Sequence, residues 1–139
     1  MTLERNSECI LVADDDEGIR NMLFFLLTKM GHQVVLAENG EQAFELFTRE
    51  SFSLVLTDLS MPEMNGFELA AKVKSMSPHT PIIMLTGSRI EDDKELGCVD
   101  HLLYKPFQLG DVHRTVEIAL SGGFFRPPAE GGTEFQIQG

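Results

Sequence analysis

The chain has 139 residues, of which 42% are apolar and 24% are charged, a composition typical of one globular domain. Its net charge of −11 argues against direct binding of nucleic acid, because phosphate binding requires a basic face. No apolar stretch is long enough for a membrane span. The N-terminus lacks the basic start of a signal peptide, and its apolar run is too short for one. We therefore expect a cytoplasmic protein with no membrane partner.

Five short apolar runs are predicted to form β-strands. Four of them are almost continuously apolar, as expected of parallel strands that are buried on both faces of a sheet. In chain order the runs are CILVA (9–13), QVVLA (33–37), SLVLT (53–57), PIIML (81–85) and HLLY (101–104).

Helical patterns lie between and after these runs, at 17–30, 41–49, 67–76 and 109–120. The first has apolar residues at the spacing of a core-facing stripe, and Gly31 is predicted to end it. A further segment, 88–97, has few apolar anchors and predicts only a short or loosely packed helix. Strand–helix alternation of this kind favours an α/β fold, a doubly wound parallel sheet with helices on both faces.

The composition of the ends predicts the domain boundaries. We expect an N-terminal extension over 1–8 and one domain over 9–120. Glycine and proline dominate residues 121–139, which predicts a tail or linker.

Polar residues follow the predicted strands where a parallel sheet places its ligand site, at the carboxyl ends. Asp14, Asp15 and Asp16 follow the first strand, and Asp58, Thr86 and Lys105 follow the third, fourth and fifth. Each alone fits a helix cap or a solvated side chain. Together they bring carboxylates, a hydroxyl and an ammonium to one edge. Clustered carboxylates repel one another unless a cation lies among them, and oxygen ligands suit Mg²⁺ or Mn²⁺.

These residues resemble the receiver domain of the two-component response regulators, a family of bacterial signalling proteins. The resemblance covers about residues 8 to 120 and rests on four motifs in the expected order. They are ILVADDDEGIR (10–20), LVLTDLSMPEMNG (54–66), PIIMLTGS (81–88) and YKPF (104–107). It implies a five-stranded flavodoxin-like sheet of order 2-1-3-4-5.

The resemblance also implies a function and a partner. Asp58 would accept a phosphoryl group from a sensor histidine kinase or a histidine phosphotransfer protein. The domain would then switch a downstream effector or an attached output domain. It would be a self-catalysed phosphoacceptor that also loses the phosphoryl group by autodephosphorylation, rather than an ordinary enzyme.

Roles for individual residues follow from the same resemblance. Asp14 and Asp15 would hold Mg²⁺ (or Mn²⁺) together with Asp58, and the backbone carbonyl of Ser60 would be a further ligand. Thr86 and Lys105 would contact the bound phosphoryl group. No ligand role is implied for Asp16 or Glu17.

The turn after Asp58 is expected to be rigid, because phosphoryl transfer depends on positioning. Pro62 and Gly66 would fix the carbonyl of Ser60, with Gly66 expected to adopt a positive φ. Cys9 and Cys98 are expected to be small core residues. No disulfide is expected, because strands one and five of the implied sheet lie about 14 Å apart.

Two features depart from the family pattern. Lys105 follows Thr86 by only 19 positions (86 to 105), and the shortening falls in the weak 88–97 segment. Leu102 occupies a position that usually carries an aromatic residue, so we expect Tyr104 to take part in reporting phosphorylation. Separately, Phe24 and Phe25 fall outside the apolar stripe of the first helix and are candidates for docking the phosphodonor, or for packing under a loop.

Three alternatives remain open from the sequence. The spacing Asp14-x-Asp16 formally fits the DxD motif of phosphohydrolases of the haloacid dehalogenase type. However, Gly18 stands where that family has Thr or Val, and this sequence lacks the later acidic pair of that family. A receiver-like interaction module without phosphorylation is the second. A flavin-binding flavodoxin is the third and is disfavoured, because three carboxylates would repel the phosphate of the flavin.

Overall fold

The computed structural model describes residues 7–87 and 97–122. In this part of the chain, five parallel strands form one sheet of order β2-β1-β3-β4-β5, which confirms the predicted fold and strand order. The strands are β1 (Cys9–Ala13), β2 (Gln33–Ala37), β3 (Leu54–Asp58), β4 (Ile82–Thr86) and β5 (His101–Tyr104). The helices are α1 (Glu17–Lys29), α2 (Gly40–Arg49), α3 (Gly66–Met76) and α4 (Leu109–Leu120).

Two strands lie one residue further along the chain than their apolar runs predict. In β3 and β4 the ladder includes the polar residue that follows the run, since Asp58 pairs with Leu85 and Thr86 pairs with Tyr104. At the other end, β4 begins only after Pro81, because proline has no amide hydrogen to donate to the neighbouring strand. The consequence is that Asp58 and Thr86 are held by the sheet itself rather than by a loop.

Each face of the sheet has its own apolar core. Side chains alternate along each strand, so residues such as Leu11 and Val55 face α2 and α3, whereas Ile10 and Leu54 face α1 and α4. The predicted stripe of α1 packs into the second core, with Leu23 and Leu27 fully buried. Helices therefore pack against both faces of the sheet and hold the strand ends in fixed positions.

The ends of α1 follow from local chemistry. The side chain of Asp16 caps the helix by accepting a hydrogen bond from the amide of Ile19. At the other end, Gly31 has a φ of 97°, which confirms the predicted glycine stop. α1 therefore starts directly beside the carboxylates that follow β1.

The described elements run from Cys9 to Leu120, the span predicted for the domain, whose exact boundaries stay a prediction. The weak 88–97 segment lies outside the described residues except for Gly97, and of the 121–139 tail only Ser121 and Gly122 lie inside. No helix among the described residues is long and apolar enough to cross a membrane.

The expectation for the cysteines was half wrong. Cys9 starts β1 and is partly buried, whereas Cys98 is exposed, because it lies in a turn that precedes β5 rather than in the strand. Both thiols are free.

Candidate phosphoacceptor and metal site

The predicted site residues meet at the carboxyl edge of the sheet. Asp14 follows the last residue of β1, Asp58 and Thr86 are the last residues of β3 and β4, and Lys105 follows β5. β1, β3, β4 and β5 are neighbours in that order, so four separate stretches of chain converge. The backbone amide of Lys105 also donates to the carbonyl of Thr86 at 2.8 Å, which fixes the lysine beside β4.

The lysine binds two of the acids. Its Nζ lies 2.9 Å from Oδ1 of Asp58 and 3.5 Å from Oδ2 of Asp14. Carboxylate oxygens of Asp14, Asp15 and Asp58 all lie within 4.8 Å of one another. The structure thus brings three carboxylates and one ammonium into a single cluster.

The acids differ in burial. Asp14 is fully buried and Asp58 is 6% exposed, whereas Asp15 is exposed to solvent. Desolvation raises the pKa of Asp14, and the nearby charge of Asp58 raises it further. The amide of Asp16 and the ammonium of Lys105 oppose this rise but do not cancel it.

Lys105 shows the complementary effect. Burial alone would lower the pKa of its ammonium, but the hydrogen bond to Asp58 and the charges of Asp58 and Asp14 outweigh burial, so the pKa is raised. The lysine therefore stays charged at neutral pH. One ammonium does not balance three carboxylates, which leaves the cluster with excess negative charge.

The donor set fits a divalent cation. Three carboxylates offer oxygen atoms within 4.8 Å of one another, and Mg²⁺ and Mn²⁺ prefer oxygen ligands. Burial raises the pKa of Asp14, and the charge of Asp58 adds to this rise, so a cation beside the two carboxylates would favour their ionised forms. A metal ligand role for the Ser60 carbonyl stays a prediction.

The turn after β3 is fixed by close packing. A Cβ added at Gly66 would lie 2.5 Å from the carbonyl oxygen of Asp58, so only glycine lets α3 begin this close to the strand. The amide of Gly66 also donates to the carbonyl of Leu59 at 2.9 Å. The expected positive φ at Gly66 was wrong, since Glu63 adopts that conformation instead, with φ 71°. The glycine is required for close approach rather than for φ.

A second close contact ties α2 to the same turn. Gly40 is the first residue of α2, and a Cβ there would lie 2.7 Å from the carbonyl oxygen of Met64. Asn65 then caps α3 in a reciprocal pair of hydrogen bonds with Glu68. Three sets of contacts therefore fix the turn that follows Asp58.

Sequence reasoning missed one contact at this edge. The guanidinium of Arg20 donates from Nη1 to the backbone carbonyl of Asp14 at 2.8 Å. A basic residue four positions after a helix cap in an acidic stretch is the only sequence signal for it. Asp16 and Glu17, to which no ligand role was given, are the cap and first residue of α1.

Comparisons with known proteins agree with this geometry. The model of the response regulator receiver domain family matches residues 10–117. The response regulator receiver protein CpdR of Brucella abortus (strain 2308) is 38% identical over 114 residues, which cover 80% of this chain and 95% of CpdR. The sporulation initiation phosphotransferase F of Bacillus subtilis (strain 168) is 35% identical over 115 residues, which cover 80% of this chain and 92% of that protein.

A solved structure gives the same result. The response regulator protein TrrA of Thermotoga maritima, in complex with Mg²⁺ and BeF, superposes with a TM-score of 0.76 at 32% identity. The match covers 81% of this chain and 99% of TrrA. The chain belongs to the response regulator receiver domain family.

Proposed function

We propose that this receiver domain accepts a phosphoryl group on Asp58, in a reaction that depends on Mg²⁺ or Mn²⁺, and that its phosphorylation switches a signalling output. The observation that carries the proposal is the contact between Asp58 and Lys105 at 2.9 Å, inside a cluster of three carboxylates. TrrA, a relative, was solved with Mg²⁺ and the phosphoryl mimic BeF, which supports the same chemistry here.

The acceptor is the Asp58 carboxylate. Its oxygen attacks the phosphorus of a phosphohistidine, a P–O bond forms as the P–N bond breaks, and the leaving imidazole nitrogen takes up a proton. A carboxylate attacks an anionic phosphoryl group only if the negative charges are balanced, so the surroundings of Asp58 decide the rate.

Several groups of this chain supply that balance. Lys105, already 2.9 Å from Asp58, would pair with a phosphoryl oxygen, and the hydroxyl of Thr86 would donate to another. Asp14, Asp15, Asp58 and the carbonyl of Ser60 would hold the metal. The bound cation would neutralise charge on the phosphoryl group and on the attacking carboxylate.

The partner class follows from the family. The phosphodonor would be a sensor histidine kinase or a histidine phosphotransfer protein, and the Bacillus relative is itself named a phosphotransferase. The recipient of the signal would be a separate effector or an output domain attached to this one. The domain would act as a phosphoacceptor switch that also releases the phosphoryl group by autodephosphorylation, in the cytoplasm of a bacterium.

Acetyl phosphate tests the proposal without a named partner. Intact-mass spectrometry should detect one phosphoryl group on the wild-type protein in the presence of MgCl₂, and none when EDTA replaces MgCl₂. Asp58→Asn should take up none, because the amide lacks the nucleophilic oxygen. Asp111→Asn is a matched control, because Asp111 is an acid in the first turn of α4 that caps this helix.

Uptake on Asp58→Asn, or equal uptake in EDTA, would reject the assignment. Absence of any uptake by wild type from acetyl phosphate or a kinase would support the interaction module without phosphorylation. The haloacid dehalogenase and flavodoxin alternatives lose their basis, because the chain belongs to the receiver family over residues 10–117.

A further inference from the structure

Arg20 reaches from α1 back to the end of β1. It is the fourth residue of the helix that Asp16 caps, and its Nη1 donates to the backbone carbonyl of Asp14 at 2.8 Å. The side chain is partly buried, which reduces the access of water to this bond. A hydrogen bond from a charged donor is stronger than one between neutral groups.

The carbonyl that Arg20 binds belongs to the peptide between Asp14 and Asp15. On the other side of Asp14, its amide donates to the carbonyl of Ala37 at 3.2 Å. The Asp14 carboxylate is held by the amide of Asp16 at 2.9 Å. The exposed Asp15 follows directly, so the orientation of this peptide determines where the Asp15 side chain starts.

We propose that Arg20 is a positioning residue, which orients the Asp14–Asp15 peptide so that both carboxylates face the same cation. This inference rests on the proposed metal site. It assigns to Arg20 no contact with the metal or with the phosphoryl group, only the contact with the carbonyl. Groups that orient metal ligands affect metal affinity through the geometry of those ligands.

The direction of the change in Mg²⁺ affinity distinguishes a positioning role of Arg20 from a purely electrostatic one. A guanidinium that acted only through its positive charge would repel Mg²⁺, so its removal would tighten binding. A guanidinium that positions the ligands has the opposite effect, because its removal lets the peptide turn and the carboxylates separate. Binding of Mg²⁺ alone, without phosphorylation, therefore distinguishes the two roles.

The experiment is calorimetric titration of the whole domain with MgCl₂ at constant ionic strength. Arg20→Met keeps the bulk of the side chain and removes the donor, and we expect about tenfold weaker Mg²⁺ binding, the low end for loss of a ligand-orienting group. Arg49→Met is the matched control and should bind as wild type does. Arg49 is exposed, pairs with Glu45 at 2.7 Å and lies at the far end of α2.

A second readout follows the peptide itself. Hydrogen exchange of the Asp16 amide, measured by NMR without metal, should be faster in Arg20→Met, because that amide depends on the orientation of Asp14. The urea midpoint of each variant establishes that it is folded. If Arg20→Met unfolds, Arg20→Gln replaces it with the same expectation, because glutamine is shorter and lacks the charged donor.

The outcomes are distinct. Weaker Mg²⁺ binding with faster exchange at Asp16 would support the inference. Equal or tighter binding by a folded Arg20 variant would overturn it and leave the metal site intact. A wild-type protein that binds no Mg²⁺ would overturn the metal site, and the role of Arg20 with it.

Discussion

Replacing Asp14 by asparagine should stabilise the metal-free protein while it damages metal binding. The substitution keeps the shape of the side chain and the oxygen that accepts from the Asp16 amide at 2.9 Å. It removes one negative charge from a fully buried position. The charge of Asp14 therefore lowers the stability of the metal-free protein, and Asp14→Asn measures by how much.

The magnitude follows from the geometry. Two unit charges about 5 Å apart repel by roughly 3 kcal/mol at an effective dielectric constant of about 20, and the carboxylates of Asp14 and Asp58 lie within this range. Lys105 opposes the repulsion from 3.5 Å, so a large part of it cancels. Burial of the Asp14 charge is the larger cost, and together with the remaining repulsion it raises the pKa of Asp14. We expect Asp14→Asn to raise the free energy of unfolding by about 1–2 kcal/mol near pH 8.

The effect has a defined pH dependence. Because the native state holds the Asp14 proton more tightly than the unfolded chain does, ionisation of Asp14 costs stability as pH rises above 3.8 and through the raised native pKa. The gap between Asp14→Asn and wild type should therefore be small at about pH 4 and complete above that native pKa. Urea unfolding monitored by circular dichroism in EDTA measures the gap at both pH values.

Asp15→Asn is the control, because Asp15 is exposed and solvent screens its charge. Its metal-free stability should stay within about 0.5 kcal/mol of wild type. In saturating MgCl₂ the wild type should gain stability, by about 2.7 kcal/mol at a hundredfold excess over Kd, and both variants should gain less. A lower metal-free stability of Asp14→Asn at pH 8, or an equal gap at both pH values, would refute the reasoning.

Three other predictions concern residues outside the carboxylate cluster. Lys74→Met should cost about 1–3 kcal/mol of stability and leave Mg²⁺ affinity unchanged, because Lys74 bonds Asp100 at 2.8 Å near the opposite edge of the sheet; a changed Kd would contradict this. Phe24 and Phe25 are 43% and 62% exposed, so Phe24→Ser/Phe25→Ser should slow transfer from a phosphorylated kinase and not labelling by acetyl phosphate; equal losses in both assays would indicate damaged folding. Beryllofluoride should change hydrogen exchange around Tyr104, which pairs with Thr86; equal protection in both states would exclude the strand as a reporter.

The fold was predictable because its signals are local and repeated. Continuous apolar runs such as residues 9–13 and the stripe of α1 each determine burial on their own. A parallel sheet has its ligand site at the carboxyl ends of its strands, and this rule predicted that Asp14, Asp58 and Lys105 lie close together. Strand ends were off by one at Asp58 and Thr86, because pairing with the neighbouring strand, and not hydrophobicity, decides where a ladder stops.

Close contacts between two different elements of the fold were not predictable. Gly66 looked like a residue chosen for positive φ, and only the three-dimensional approach of its α-carbon to the Asp58 carbonyl shows otherwise. The same holds for Gly40 against Met64 and for Arg20 against the Asp14 carbonyl. Each of these depends on the relative placement of two elements, which periodicity along one element does not encode.

The distance along the chain between the clustered residues has a consequence for biosynthesis. Lys105 contacts Asp58 across 47 positions and Asp14 across 91. A chain emerging from the ribosome therefore acquires its carboxylates well before the lysine that offsets their repulsion, and β5 must dock before the cluster is complete. An unfinished or truncated chain that ends before residue 105 would lack the lysine, so we expect it to fail as the phosphoacceptor proposed above.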